Sequence, residues 1–115
     1  MDHQIPIELV VDSMGHEHAV PTIPNNMQVG DTVQYSCSFG SFRLEFYAIS
    51  SRSGLPSPFP NGTSLPVTTP ASLPLTNGGV FVCHCFVTKL PSGVKIGWNP
   101  MTSPQSGGVH DVPPH

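Results

Sequence analysis

Residues 80 to 87 read Val80-Phe81-Val82-Cys83-His84-Cys85-Phe86-Val87. Alternate side chains of a β-strand point to opposite faces. Phe81, Cys83, Cys85 and Val87 therefore share one face, and Val80, Val82, His84 and Phe86 share the other. Both faces are mostly apolar, which marks a central strand. The sulfurs admit three readings. They are core filler, since free cysteine is among the most buried residue types; or one of them belongs to a disulfide; or they ligate a metal.

The same period of two recurs on either side of this stretch. Val33, Tyr35, Cys37 and Phe39 alternate with Thr32, Gln34, Ser36 and Ser38, after a Gly30-Asp31 turn. Ile5, Ile7, Leu9 and Val11 form the apolar face of a first strand, with Pro6 suggesting an edge or strand-end position. Phe42, Leu44 and Phe46 alternate with Arg43, Glu45 and Tyr47. Val94, Ile96 and Trp98 alternate with Lys95 and Gly97, which reads Trp98 as core. Leu65–Thr68 and Ser72–Thr76 suggest short strands, and Asn77-Gly78-Gly79 a turn. With 14 prolines and 11 glycines in 115 residues, no amphipathic helical pattern lasts beyond two turns. Six to eight short strands at this spacing predict an all-β chain folded as a single antiparallel β-sandwich with little or no helix. The sandwich is expected over residues 1–99. A Pro/Gly-rich tail over 100–115 is placed to add an edge strand at 107–112.

Two segments resemble the cupredoxins, small copper-binding β-sandwiches. The first is P-T-I-P-N-N-M-Q-V-G-D-T-V-Q-Y (21–35), similar to the family's proline, hydrophobic strand and G-D-x-V-x-aromatic turn. The second is G-G-V-F-V-C-H-C-F-V-T-K-L-P-S-G-V-K-I-G-W (78–98), similar to the family's cysteine-bearing strand, ligand loop and final strand. The resemblance implies a cupredoxin- or immunoglobulin-like Greek key. It does not imply electron transfer. A blue-copper site needs two histidines with one cysteine and a weak axial ligand. Here no histidine stands between His18 and His84, and the loop after Cys85 holds neither His nor Met.

Charge narrows the function. Only 10% of residues are charged, against about a quarter in an ordinary domain. The net charge is -3, and the four Lys and Arg stand singly, so no basic patch exists for nucleic acid. No apolar run is long enough to span a membrane. The first residues lack the features of a signal peptide. The charge-poor polar composition nevertheless favours export over the cytosol.

Cys83 and Cys85 are too far apart along one strand to bridge each other, so a disulfide would join Cys37 to one of them and leave one thiol over. For a metal, Cys83 and Cys85 are the soft ligands. His84, His110 and His115, or His16 and His18 of the H-E-H segment, are the nearby histidines for copper or zinc. His16, Glu17 and His18 also offer acid–base groups for a small hydrolase or isomerase, without a nucleophile elbow or phosphate loop to support them. Asn61-Gly62-Thr63 fits a glycosylation sequon. The leading expectation is a non-catalytic binding or structural module, needing no cofactor, that meets a protein partner or its own copies. The proline-dense stretch 50–70, with Leu55, Phe59 and Leu65, is its expected interaction loop. A small copper- or zinc-binding protein is the alternative.

Overall fold

The computed structural model describes residues 1–51, 54–60, 72–98 and 106–113. These carry eight strands: β1 (Asp2–Val11), β2 (Glu17–Pro21), β3 (Thr32–Cys37), β4 (Gly40–Ser51), β5 (Ser72–Pro74), β6 (Gly79–Lys89), β7 (Lys95–Ile96) and β8 (Ser106–Val112). The described residues contain no α-helix. One sheet has the order β2-β1-β3-β5. In the other, β6 pairs β4 along one edge, and β8 and β7 in succession along its opposite edge. The two sheets pack as the all-β sandwich that the alternation implies. All pairings are antiparallel except β1 with β3, which run parallel.

The inner faces meet in one hydrophobic core. Ile5, Ile7, Val33 and Tyr35 come from the first sheet, and Phe42, Leu44, Phe46, Phe81, Cys83, Cys85, Val87, Ile96 and Val112 from the second. Full burial of each large apolar side chain stabilises by about 1.5–3 kcal/mol. The β6 stretch is the central strand of its sheet, as its double apolar face implies. β8 pairs β6 over seven residues and buries His110 and Val112, so the C-terminal segment is integral to the sandwich.

Four local expectations are corrected. The apolar face of β1 stops at Ile7. β3 ends at Cys37, opposite Ile7, so Leu9 and Val11 run on with only β2 beside them and are exposed. Pro6 lies in an interior strand. Its carbonyl accepts from the Thr22 N–H, and the β1–β2 ladder ends there, where proline has no N–H to return the bond. Trp98 is on the surface, because Gly97 at φ 94° breaks the alternation after Ile96. A Cβ at Gly97 would stand 2.7 Å from the Cys85 carbonyl oxygen. Finally, the strand expected at Ser72–Thr76 is shorter, Ser72–Pro74. That expected at Leu65–Thr68 lies outside the described residues.

Candidate functional site

On the inner face of β6, Cys83 and Cys85 are fully buried, and Cys37 on β3 packs half-buried against the same core. All three are free thiols. Burial pushes the Cys83 thiol up to about 11, partly offset by the N–H of Gly108 on β8. Burial, reinforced by the sulfurs of Cys83 and Cys37, raises Cys85 well above the usual thiol range. Both are therefore protonated, poorly nucleophilic groups at neutral pH.

Beside them lies a buried polar pair. His110 lies opposite Phe81 across the β6–β8 ladder and is fully buried. Its Nε2 is 2.8 Å from the Tyr35 hydroxyl, contributed by the facing sheet. The Phe46 ring meets the imidazole edge-on at 5.2 Å. Burial lowers the His110 pKa to about 4 and raises that of Tyr35, which also feels Cys83. The His110 Nδ1 has no hydrogen-bond partner among the described residues. The signal for this pair was present in sequence: Tyr35 shares the Val33–Cys37 face, and His110 alternates with Val109 and Asp111.

The outer face of the same strand is different. Tyr47, Val82 and Val109 form one row across β4, β6 and β8. Tyr47 is 47% exposed, Val109 52% and Ile49 64%, with Val82 half-buried between them. The Tyr47 hydroxyl lies 3.2 Å from His84 Nε2, and the rings meet edge-on at 5.1 Å. Further along, Trp98 covers Phe86, and the Lys95 ammonium sits 5.5 Å over the indole. Arg43 and Glu45 pair at 2.6 Å on β4, placing charge on the strand that ends this sheet.

The candidate metal ligands scatter. Cys83 and Cys85 point into the core, His84 points out from the same strand, and His110 points in from β8. His16 and His18 belong to the β1–β2 hairpin. There Asp12 accepts from His18 Nε2 at 2.8 Å and from the backbone N–H groups of His16 and Met14. The His18 bond, followed by the His16 N–H, holds the Asp12 carboxyl at about 2. Glu17 pairs with Lys89 at 3.1 Å, tying the hairpin to β6. Asp12 acts as the brace of a tight turn. Among the described residues, no three His, Cys, Asp or Glu side chains are grouped to hold a metal ion. His115 and the 61–63 sequon lie outside the described residues.

A second buried pair was not singled out in sequence. His3 Nε2 is 2.8 Å from Asp31 Oδ2, with both side chains nearly sealed. Asp31 also accepts from the Gln28 N–H and the Met1 ammonium, and the His3 bond is the largest cause of its lowered pKa. His3 continues the inward face of Ile5 and Ile7, which was its legible signal. The pair closes one end of the sandwich.

The expected interaction loop does not present its aromatic. Phe59 is buried, with its ring edge-on to Phe46 at 5.2 Å and to Tyr35 at 6.4 Å. Asn77 explains this: its side-chain amide donates to the carbonyls of Ser57 and Phe59, and the Thr76 and Asn77 N–H groups donate to Pro58. Leu55 is half-buried, and Leu65 lies outside the described residues.

Comparison with known proteins adds no relative: no family model, curated protein or solved structure matches this chain.

Proposed function

We propose that this sandwich is a non-catalytic binding or assembly module that meets a protein partner or further copies of itself through the outer face of the β4–β6–β8 sheet. The observation that carries this reading is the Tyr47–Val82–Val109 row with Ile49 beside it. The row is exposed on its sheet face, and Ile49 stands exposed at the β4 register shift between Ala48 and Ser50. Contiguous exposed apolar surface rimmed by polar groups is characteristic of interaction sites. Here Arg43, Glu45 and Asp111 supply the rim, and Tyr47 is one of the residue types enriched among interface anchors. A cupredoxin-type kinship belongs to the same proposal. It is supported by the Gly30-Asp31 turn leading into β3 and by Cys83 on the central strand, and it comes without a copper-ligand set.

The copper- or zinc-binding alternative rests on Cys37, Cys83 and Cys85 belonging to a single core, although among the described residues they are not grouped as a metal site. Two techniques separate the readings. Sedimentation velocity over rising concentration is expected to show self-association that Tyr47→Ser with Val109→Ser weakens. Native mass spectrometry is expected to give a metal-free chain. One copper or zinc per chain, removed by Cys83→Ser with Cys85→Ser, would transfer the assignment to the metal.

A further inference from the structure

The open edge of the second sheet carries a pattern that is complementary to itself. β4 is the longest strand among the described residues, 12 residues, and among those residues it pairs with β6 alone. A strand edge left unpaired offers its N–H and C=O groups to another strand. The β4–β6 ladder runs regularly from Gly40 to Ala48, and the register shifts between Ala48 and Ser50. Leu44, fully buried, is the midpoint of that regular stretch. On the outer face it is flanked by Arg43 and Glu45, whose side chains are 49% and 40% exposed. A basic and an acidic residue thus stand at equal distances on either side of the midpoint.

We propose that a second copy of this chain pairs antiparallel with the β4 edge about a twofold axis, Leu44 opposite Leu44. In that register Arg43 meets Glu45 of the second copy, and Glu45 meets its Arg43. Phe42 stands opposite Phe46 on the inner face, Ser41 opposite Tyr47 on the outer, and Gly40 opposite Ala48. The whole regular stretch is used. Opposite charges directly across a strand pair stabilise it, and like charges destabilise it. Sliding the second strand by two residues either way sets Arg43 against Arg43 or Glu45 against Glu45. Sliding it by one sets a charged residue beside Leu44 and opposes the inner face of one copy to the outer face of the other. Charge on an edge strand ordinarily discourages pairing. Here two charges of opposite sign discourage the neighbouring registers and favour this one. The contact is isologous, the usual form of a dimer. It goes beyond the outer-face reading and does not depend on it. The joined sheet carries both Tyr47–Val82–Val109 rows on one side, so each pair presents the outer strip twice. Pairing along the whole regular stretch of backbone makes the edge the tighter contact, which persists where dilution dissociates the outer face.

The test is sedimentation velocity on the full chain at the lowest detectable concentration, where a two-chain mass is expected. Arg43→Glu alone and Glu45→Arg alone each set like charges opposite one another across the axis. Each should weaken the pair at least about tenfold. Both side chains are exposed, so circular dichroism should show the native fold in each variant. Mixing the two variants should restore a two-chain species, because every charge then faces its opposite. Arg43→Glu with Glu45→Arg in one chain should restore it as well. A single-chain mass for the unmodified protein, a pair indifferent to Arg43→Glu, or variants that stay single when mixed would each overturn the proposal. The outer face is tested separately by Val109→Ser, which lies on β8 away from this edge. A pair that Val109→Ser splits and Arg43→Glu leaves whole would sink the edge contact and leave the outer-face reading standing. The reverse pattern supports the edge whatever becomes of the outer-face reading.

Discussion

Along β6, the inward side chains Phe81, Cys83, Cys85 and Val87 are all sealed between two sheets, while Val80, Val82 and His84 on the outer side keep contact with solvent. In sequence the two sets look alike, the inner one apolar apart from two cysteines and the outer one apart from one histidine. The difference lies in what covers them. The inner face is closed by Tyr35 and its neighbours from a sheet distant in sequence, and by the Phe59 plug. On the outer face, among the described residues, Trp98 lies over Phe86. Alternation therefore reports which residues share a face, and only tertiary assembly determines which face becomes core. An apolar face left exposed by the described residues is where a partner has most to gain.

Mutations should separate the two faces by magnitude. Phe81→Ala removes a fully buried ring and is expected to cost about 3–5 kcal/mol of unfolding free energy in urea titration. Val82→Ala, one residue away on the outer face, should cost under about 1 kcal/mol by the same measurement. Similar losses at both positions would erase the contrast.

Acid should act through the inner face next. Folding lowers the His110 pKa from the ordinary 6.5 to about 4, so the unfolded chain binds a proton that the folded chain refuses. That contribution is fully present above pH 6.5 and is lost as the pH falls towards 4, the loss reaching about 3 kcal/mol at pH 4. Asp12 loses its contribution lower, as the pH falls from its unfolded value of 3.8 through about 2. Stability measured from pH 7 to 4 should therefore decline in the native chain and stay much flatter in His110→Leu. His84→Leu, on the outer face, should leave the decline intact.

Asn77→Ala is expected to cost about 1–3 kcal/mol, because two loop carbonyls lose their donor. Faster hydrogen exchange at the backbone amides of Thr76 and position 77 would show that the Phe59 plug has loosened. The smallest effect on stability belongs to the outer strip. Tyr47→Ser and Val109→Ser should each change unfolding free energy by less than about 1 kcal/mol. Together they should weaken association at least about tenfold in sedimentation.

Much of the fold was readable from local pattern. The strands around Tyr35, Leu44 and Cys83, the Gly30-Asp31 turn and the edge strand near His110 all follow from period two and turn chemistry. Failures came where a long-range event decided the outcome. Leu9 and Val11 are exposed because β3 ends opposite Ile7, and Trp98 turns outward because Gly97 adopts a left-handed backbone. Phe59 is core because Asn77, eighteen residues later, holds its loop inward. The candidate site was only half legible. Its cysteines stood out by composition, but Tyr47 and Val109 resemble any strand residues until the register sets them beside Val82. The Tyr35–His110 pair likewise joins positions 75 residues apart.

The central claim is that the outer face of the β4–β6–β8 sheet is the contact surface, and amide chemical shifts of labelled protein over a dilution series test it most directly. Concentration-dependent shifts confined to Tyr47, Ile49, Val82, His84 and Val109 and their immediate neighbours are the predicted result. Shifts absent at every concentration, or clustered instead on Leu9–Val11, would contradict it.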